Sequence, residues 1–250
     1  MGSERTVRVT PLLYGDLTGW YALLDPRADH EGEAAAYLQA LLGGIDGAKR
    51  TLLDLGAGAG NNAWFLKQQF ACTLTDVSDA MLSLSRAQNP DCEHLLGDMR
   101  TLRLGRTFDA VMVHDAVCYM TTRDDLRKAA QTAFVHLRTG GAAVFAPDCT
   151  RESFEKGSSL LECEAGARSL HGIEWSWDAD PDDETYQVEY ALLLRDGVEV
   201  RAVHDRHTEG LFTRATWVEV LEGVGFQVDT FQRPADDDGA FDEVFLCRKR

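Results

Sequence analysis

The sequence lacks the features of several large protein classes. It contains no run of 18 apolar residues and no apolar signal core near its N-terminus, so we expect neither a membrane span nor secretion. Its six cysteines are scattered, without a C-x-x-C pair or a Cys/His array at zinc spacing. We therefore expect free thiols in a reducing cytoplasm and no metal site.

Positive charge is also scarce. The chain has 25 Lys and Arg residues and 41 Asp and Glu residues, which gives a net charge of −16 and a pI near 4.8. No basic run interleaved with aromatic residues is present. Because such a chain repels a phosphate backbone, we exclude nucleic acid as a partner and expect a small molecule.

A glycine-rich turn stands out against this background. Thr51–Leu55 is a short apolar run typical of a buried parallel strand, and three glycines alternate over the next five residues, 56–60. Glycine lets a ligand approach the main chain closely, and the following helix, which Asn61 or Asn62 can cap, presents unpaired N–H groups. The turn is therefore either part of a ligand-binding site or a tight strand-to-helix connection that binds no ligand.

The spacing of the turn is informative. G-x-G-x-G preceded by Asp54 differs from the G-x-G-x-x-G of dinucleotide binders. The segment Asp54-Leu-Gly-Ala-Gly-Ala-Gly60 resembles the first motif of the class I S-adenosylmethionine (SAM) methyltransferases. This resemblance implies an α/β fold, with a doubly wound, mostly parallel seven-stranded sheet of the Rossmann-like type, and SAM as cofactor.

Two later acidic positions support the resemblance. Asp76 ends the second predicted strand, where an acid can accept hydrogen bonds from ribose hydroxyls, although it could instead cap the next helix. Gly97-Asp98-Met99 follows the third strand, where the family binds adenine. Met81 either covers the adenine or packs in the core. By resemblance, the cofactor-binding residues are Tyr21, Asp54, Gly56, Ala57, Gly58, Asp76, Val77, Met81, Gly97, Asp98, Met99 and His114.

The methyl donor and acceptor should meet at the end of the fourth strand. The N/D-P-P-Y/F motif of nucleic-acid base and glutamine methyltransferases is absent there. The family's tyrosine-bearing N-terminal helix and this strand end make Tyr14, His114 and Tyr119 the catalytic candidates. His204 and His207 are further candidates for a base, and each of these residues could equally form structural hydrogen bonds.

The chain divides into four predicted parts. A helix is expected around Glu152 to Ala165, and Asp196-Gly197 suits the turn of a β-hairpin. In residues 149–212, aromatic and apolar side chains alternate along the predicted strands and so share one face. This pattern predicts a small antiparallel insert that packs on the core, on a ligand or on a second copy in a homodimer. The parts are an N-terminal helical cap (1–48), a SAM-binding core (49–148), the antiparallel substrate or lid insert (149–212) and a C-terminal completion of the core sheet (213–250).

The resemblance is strongest to the small-molecule branch of amino-sugar and small-metabolite N-methyltransferases. It implies transfer of a methyl group to an amine or hydroxyl of a small polar metabolite, such as a specialised metabolite or sugar nucleotide. One alternative is a SAM-binding protein without turnover whose insert serves dimerisation. A nicotinamide oxidoreductase is disfavoured by the glycine spacing and by Gly97-Asp98.

Overall fold

The computed structural model describes residues 11–234 and 241–250, so the first ten residues of the predicted N-terminal cap lie outside the described part. Short 3-10 turns cover Leu12–Tyr14, Arg27–His30 and Ala116–Tyr119. The helices are α1 (Thr18–Leu24), α2 (Glu31–Gly44), α3 (Asn61–Leu66), α4 (Asp79–Gln88), α5 (Arg123–His136) and α6 (Arg214–Val224). The strands are β1 (Thr51–Leu55), β2 (Ala71–Asp76), β3 (Glu93–Leu96), β4 (Phe108–His114), β5 (Leu137–Ala146), β6 (Gly157–Ala165), β7 (Arg168–Trp177), β8 (Thr185–Asp196), β9 (Glu199–Gly210), β10 (Gln227–Pro234) and β11 (Phe241–Arg248).

The larger sheet has seven strands in the order β10-β11-β5-β4-β1-β2-β3. β1 to β5 run parallel, whereas β11 is antiparallel to both of its neighbours. The predicted mostly parallel seven-stranded sheet is therefore confirmed. The strand order reverses between β1 and β4, and an open α/β sheet forms its ligand crevice at the carboxyl ends of the strands at such a point.

Helices cover both faces of this sheet, which is why its inner strands are apolar throughout. On one face, Val111 and Phe145 pack beneath α5 and α6, and Trp217 of α6 stacks on Phe245 with ring centroids 5.2 Å apart. On the other face, Leu52 and its neighbours pack beneath α2 and α3. The two apolar layers hold the carboxyl ends of β1, β2 and β4 in fixed positions.

The insert is a separate antiparallel sheet in the order β6-β7-β8-β9. The predicted hairpin at Asp196-Gly197 is confirmed, because Asp196 pairs with Glu199 and Gly197 takes a positive φ of 61°. One sheet face packs on the N-terminal segment, where Leu192 of β8 meets Leu17 and Trp20. The insert and the N-terminal segment therefore share an apolar core.

Two local predictions are wrong. The helix expected around Glu152 to Ala165 is instead strand β6. The apolar residues of 157–165 are compatible with the spacing of a helix and with that of a strand, and nine residue pairs with β7 favour the strand. Nor does Asn61 or Asn62 cap α3. Gly60 occupies the N-cap at φ 76°, and both asparagine side chains point toward α2 and the segment before it.

All six cysteines are free thiols. Among the described residues, no helix is long and apolar enough to cross a membrane.

Candidate active site

A cavity of about 700 Å³ opens at the carboxyl ends of β1, β2 and β4, beneath strand β9 of the insert. His207 of β9 also lines it, whereas His204 lies outside, exposed and paired with Glu189. The structure brings together every site residue predicted from the sequence: Tyr14, Tyr21, Asp54, Gly56, Ala57, Gly58, Asp76, Val77, Met81, Gly97, Asp98, Met99, His114 and Tyr119.

The glycine turn forms one wall of this cavity. Gly56 has φ 86°, and a Cβ there would lie 2.4 Å from the Cβ of Ala116, so no larger residue fits. The N–H groups of Gly56 and Ala57 both donate to the carbonyl oxygen of Thr75, at 2.8 and 2.9 Å. The turn is therefore held rigidly against β2.

Asp76 ties the same turn to α4. Its Oδ2 accepts from the Gly58 N–H at 2.9 Å, and its Oδ1 accepts from the Ser78 N–H at 2.8 Å. Burial raises the pKa of Asp76 although these N–H groups oppose the rise. Ser78, whose Oγ accepts from the Met81 N–H, caps α4, so Asp76 is not the helix cap.

Asp54 lies on the cavity floor and is only 2% exposed. Burial raises the pKa of Asp54 to about 7; the charge of Asp76 adds to the rise and that of His114 opposes it. A cation bound in the cavity would stabilise the ionised carboxylate.

Asp98 is clamped by Arg100. The Arg100 backbone N–H donates to Asp98 Oδ1 at 2.8 Å, and its guanidinium Nε donates to the same oxygen at 2.9 Å. Met99 is 7% exposed and packs beneath Gly56. A ligand amine that reaches Asp98 must share this carboxylate with Arg100.

His114 belongs to a buried network of alternating charges. Its Nε2 lies 2.7 Å from Asp115 Oδ1 and 3.1 Å from Glu33 Oε2, and Glu33 Oε1 lies 2.6 Å from His30 Nδ1. Burial disfavours charge on His114, but Asp115 and Glu33 outweigh it and raise the His114 pKa well above its ordinary value. Burial also disfavours charge on His30, but the hydrogen bonds and charges of Asp25 and Glu33 outweigh it and raise the His30 pKa to about 10. Both imidazoles are therefore cations at neutral pH and not free bases.

The backbone at Asp115 is strained. Asp115 is the one non-glycine residue of the described chain with a positive φ, at 41°. Such strain persists only where surrounding structure fixes it, and it often marks functional sites. Here it turns the Asp115 carboxylate toward the cavity and His114.

A second network joins the insert to the N-terminal segment. The Tyr119 hydroxyl lies 2.8 Å from His207 Nδ1 and 3.1 Å from the Tyr14 hydroxyl, and His207 Nε2 lies 3.2 Å from Asp205 Oδ2. Burial raises the pKa values of Tyr14 and Tyr119 well above 10. The sequence reasoning missed Asp205, although the i, i+2 spacing of Asp205 and His207 on a strand places both on one face.

A smaller cavity of about 330 Å³ adjoins the first and shares His114 and Asp115 with it. Asp148, which follows β5, lines this cavity and hydrogen bonds with Asp115. Burial raises the pKa of Asp148 well above its ordinary value, and the charges of Asp115 and Glu209 add to the rise. Asp148 and its acidic neighbours, which the sequence analysis did not single out, thus make this side of the site favourable for a cation.

Three comparisons bear on this site. A family model described as a methyltransferase domain matches residues 52–141, which contain the glycine turn, Asp76, Asp98 and His114. A curated relative, the dTDP-3-amino-3,4,6-trideoxy-alpha-D-glucopyranose N,N-dimethyltransferase of Streptomyces venezuelae, is 29% identical over 76% of this chain and 81% of its own length.

Solved structures show the same architecture. Streptomyces venezuelae DesVI superposes with a TM-score of 0.81 at 25% identity, over 94% of this chain and 98% of its own. SAM-bound CalS10, an amino pentose methyltransferase from Micromonospora echinaspora, superposes with a TM-score of 0.78 at 24% identity, over 94% of this chain and 96% of its own. Together with the methyltransferase domain match, these findings make the chain a SAM-dependent methyltransferase with the class I fold.

Proposed function

We propose that this SAM-dependent methyltransferase methylates the amine of a nucleotide-linked amino sugar. The nucleotide carrier rests on the curated relative, whose name describes N,N-dimethylation of a dTDP-amino sugar. The amine rests on one observation of the site, the cluster of carboxyl groups that the exposed Asp115 and Asp148 form with the buried Glu209 beside the reaction centre.

These carboxyl groups favour a cation. Asp148 contacts Asp115, and its pKa is raised by burial and by the charges of Asp115 and Glu209. An alkyl amine, like that of lysine with a pKa of about 10, arrives protonated at neutral pH and compensates this charge. A neutral hydroxyl would gain nothing from these carboxyl groups, whereas a cationic amine would stabilise their ionised form, so we infer N-methylation rather than O-methylation.

The cavity residues fit SAM, which supplies a methyl group already activated by its sulfonium. Asp76 would accept from the ribose hydroxyls, Asp98 and the Met99 N–H would bind the adenine edge, and Asp54 would face the cationic methionine end. The collision that a Cβ at Gly56 would cause and the raised pKa of Asp54 both support a ligand that is cationic and closely packed. Tyr21, Ala57, Gly58, Val77, Met81 and Gly97 complete this part of the cavity.

The remaining wall positions the acceptor. Tyr14, Tyr119 and Asp115 line the same cavity as the glycine turn. His114, held as a cation by Glu33 and Asp115, orients the Asp115 carboxylate and does not take up a proton itself. Alignment of the amine with the methyl group and exclusion of water then supply most of the rate enhancement.

A matched acceptor panel tests this proposal. The protein is incubated with SAM and a dTDP-3-amino-3-deoxy sugar, with the corresponding 3-hydroxy dTDP-sugar, or with the free amino sugar, and S-adenosylhomocysteine and product masses are measured. We expect methylated product only from acceptors with an amine, with mono- and dimethylated forms from the nucleotide-linked one. Methylation of the hydroxyl analogue would contradict the proposal. SAM binding by calorimetry without turnover on any acceptor would favour the binding protein instead.

We also propose that the exposed face of the insert forms a homodimer. Leu160, Ile173, Trp175 and Leu193 share this face and are 45 to 75% exposed, so they present an apolar surface that a second copy would cover. In sedimentation velocity, Trp175→Glu should be monomeric, whereas Val198→Glu, at the hairpin tip, should sediment like the wild type. A monomeric wild-type protein at tens of micromolar would refute the interface.

A further inference from the structure

Two cysteines lie side by side on the larger sheet, where β2 and β3 begin and at the end of these strands away from the cavity. Thr73 of β2 is opposite Glu93 of β3, so the next positions back along the two parallel strands are Cys72 and Cys92. Both side chains pack in the apolar layer beneath α2 and α3 and therefore lie on the same face of the sheet. Neither cysteine lines the cavity.

This arrangement is suited to a disulfide bridge. Neighbouring strands lie about 5 Å apart. Disulfides join residues whose Cα atoms are about 4.4 to 6.8 Å apart. In the reduced protein the Cys72 thiol lies 3.6 Å from the carbonyl oxygen of Phe70, and it also hydrogen bonds with Cys92. The two sulfur atoms therefore already face each other across the strands.

The two thiols differ in exposure and in acidity. Cys72 is 6% exposed, whereas Cys92 is half-buried and reaches solvent. The hydrogen bond from Cys72 lowers the pKa of Cys92, although burial and the charge of Asp91 oppose the change. The charge of Lys67 lowers it further. The hydrogen bond with Cys92, together with burial, raises the pKa of Cys72. Because the thiolate is the nucleophile, Cys92 is the thiol that reacts first with an oxidant.

We propose that Cys72 and Cys92 form a reversible disulfide when the protein meets a peroxide, and that this bridge fixes the edge strand β3 to β2. First, the thiolate sulfur of Cys92 attacks hydrogen peroxide, the O–O bond breaks, and a sulfenic acid and hydroxide form. The Cys72 sulfur then attacks the Cys92 sulfur, the S–S bond forms, and the departing hydroxide takes up the Cys72 proton. The first hydroxide takes up the proton that Cys92 lost on ionisation. Two thiols and one peroxide thus yield one disulfide and two waters, and the two electrons lost by the sulfurs are gained by the peroxide.

Strand β3 is the element that such a bridge would hold. It has four residues, ends the strand order of the larger sheet and pairs with β2. At its carboxyl end the Gly97 N–H donates to the carbonyl oxygen of Asp76 at 2.9 Å, and Gly97 and Asp98 line the cavity. A short strand at a sheet edge opens locally at a lower free energy than an inner strand. A covalent link at the other end of the same strand pair would oppose this opening.

The pair also determines how oxidation of Cys92 ends. A sulfenic acid without a neighbouring thiol is open to further oxidation to sulfinic acid, which thiol reductants do not reverse. A disulfide, by contrast, is reduced by thiol exchange. Cys92 should therefore be recovered after oxidation when Cys72 is present and be lost when it is absent.

Peptide mapping after mild oxidation tests the bridge. Trypsin cleaves after Lys67, Arg86 and Arg100, so the two cysteines fall in separate peptides, 68–86 and 87–100. The protein is treated with equimolar hydrogen peroxide, the remaining thiols are blocked with N-ethylmaleimide, and the peptides are identified by mass spectrometry. We expect the two peptides to be linked to each other and to separate on treatment with dithiothreitol.

Single variants assign the two roles. In Cys72→Ser, the sulfenic acid of Cys92 should be trapped by dimedone and should become sulfinic acid in excess peroxide. In Cys92→Ser, the buried Cys72 should stay reduced. The control is Cys163→Ser, which removes a half-buried thiol of β6 whose pKa burial raises, and it should form the bridge like the wild type.

Three results would overturn the bridge. These are the absence of the linked peptides in the wild type, a link from Cys92 to a different cysteine, and an equal yield of sulfinic acid in the wild type and Cys72→Ser. Since the first two are read from the wild type, they decide the matter even if a variant does not fold.

Hydrogen exchange tests the effect on β3. In the oxidised protein, the amides of residues 93–97 should exchange at least about tenfold more slowly than in the reduced protein, because the bridge opposes local opening. Amides of α6, which packs on the other face of the sheet, are the control and should exchange at the same rate in both forms. Equal exchange of residues 93–97 in the two forms would contradict the fixing of β3.

Discussion

Asp54→Asn tests the proposal that the Asp54 carboxylate serves ligand binding at the expense of stability. Burial raises the Asp54 pKa from 3.8 to about 7. A raised carboxyl pKa means that the folded state binds the proton more tightly than the unfolded state, so stability is lost as pH rises from the unfolded value toward the folded one. Asparagine has nearly the same shape and carries no charge, so the variant removes this loss.

The structure sets the size of the effect. A shift of about three units, at about 1.4 kcal/mol per unit, corresponds to about 4 kcal/mol at pH 8, where the wild-type carboxyl is ionised in both states. At pH 5 the folded wild type is protonated, and the same linkage gives only about 1 to 2 kcal/mol. Asp54→Asn should therefore stabilise the ligand-free protein by about 2 to 3 kcal/mol more at pH 8 than at pH 5.

Urea unfolding at the two pH values, without SAM, measures this difference. Any change in packing caused by the amide appears at both pH values and cancels in the comparison. The control is Asp124→Asn, an exposed acid whose pKa is lowered by Lys128 and which therefore titrates below pH 5. For this control, the stability change should be the same at both pH values. An equal gain from Asp54→Asn at pH 5 and pH 8 would refute the raised pKa of Asp54.

Three further predictions concern SAM binding. Because a cationic ligand lowers the pKa of Asp54, the SAM affinity measured by calorimetry should fall below pH 7, up to about tenfold per unit, and Asp54→Asn should bind weakly with little pH dependence. Gly56→Ala should abolish SAM binding and lower Tm more than Gly58→Ala, since a Cβ at Gly56 lies 2.4 Å from Ala116 whereas one at Gly58 meets only Met81 at 3.5 Å; equal damage would refute the close approach. Asp76→Ala should weaken SAM binding by roughly 10- to 100-fold, from the loss of hydrogen bonds to a charged group, and unchanged affinity would refute the assigned ribose site.

The cofactor half of the site could be predicted from the sequence because its determinants are local. A buried strand, a glycine turn and a helix are consecutive in the chain, and each later acid follows its own strand directly. In an α/β sheet, parallel strands place such positions at one edge whatever the details of packing. The predicted cofactor-binding residues between Asp54 and Met99 therefore line one cavity, as expected.

The acceptor half could not be predicted, because its groups come from distant elements. His114 looks like a base in the sequence, but Glu33 of α2 and the strained Asp115 turn it into a cation. The same apolar spacing fits a helix or a strand in residues 157–165, and only pairing with β7 decides between them.

The sequence by itself determined the sheet, the glycine turn and the positions of the acids that line the cavity, because hydrophobic period and turn chemistry act over a few consecutive residues. Only the tertiary structure decided the proton chemistry of the other wall. It packs the insert on the N-terminal segment, places His207 against Tyr119, and gives each ionisable group the burial and the charged neighbours that determine its protonation.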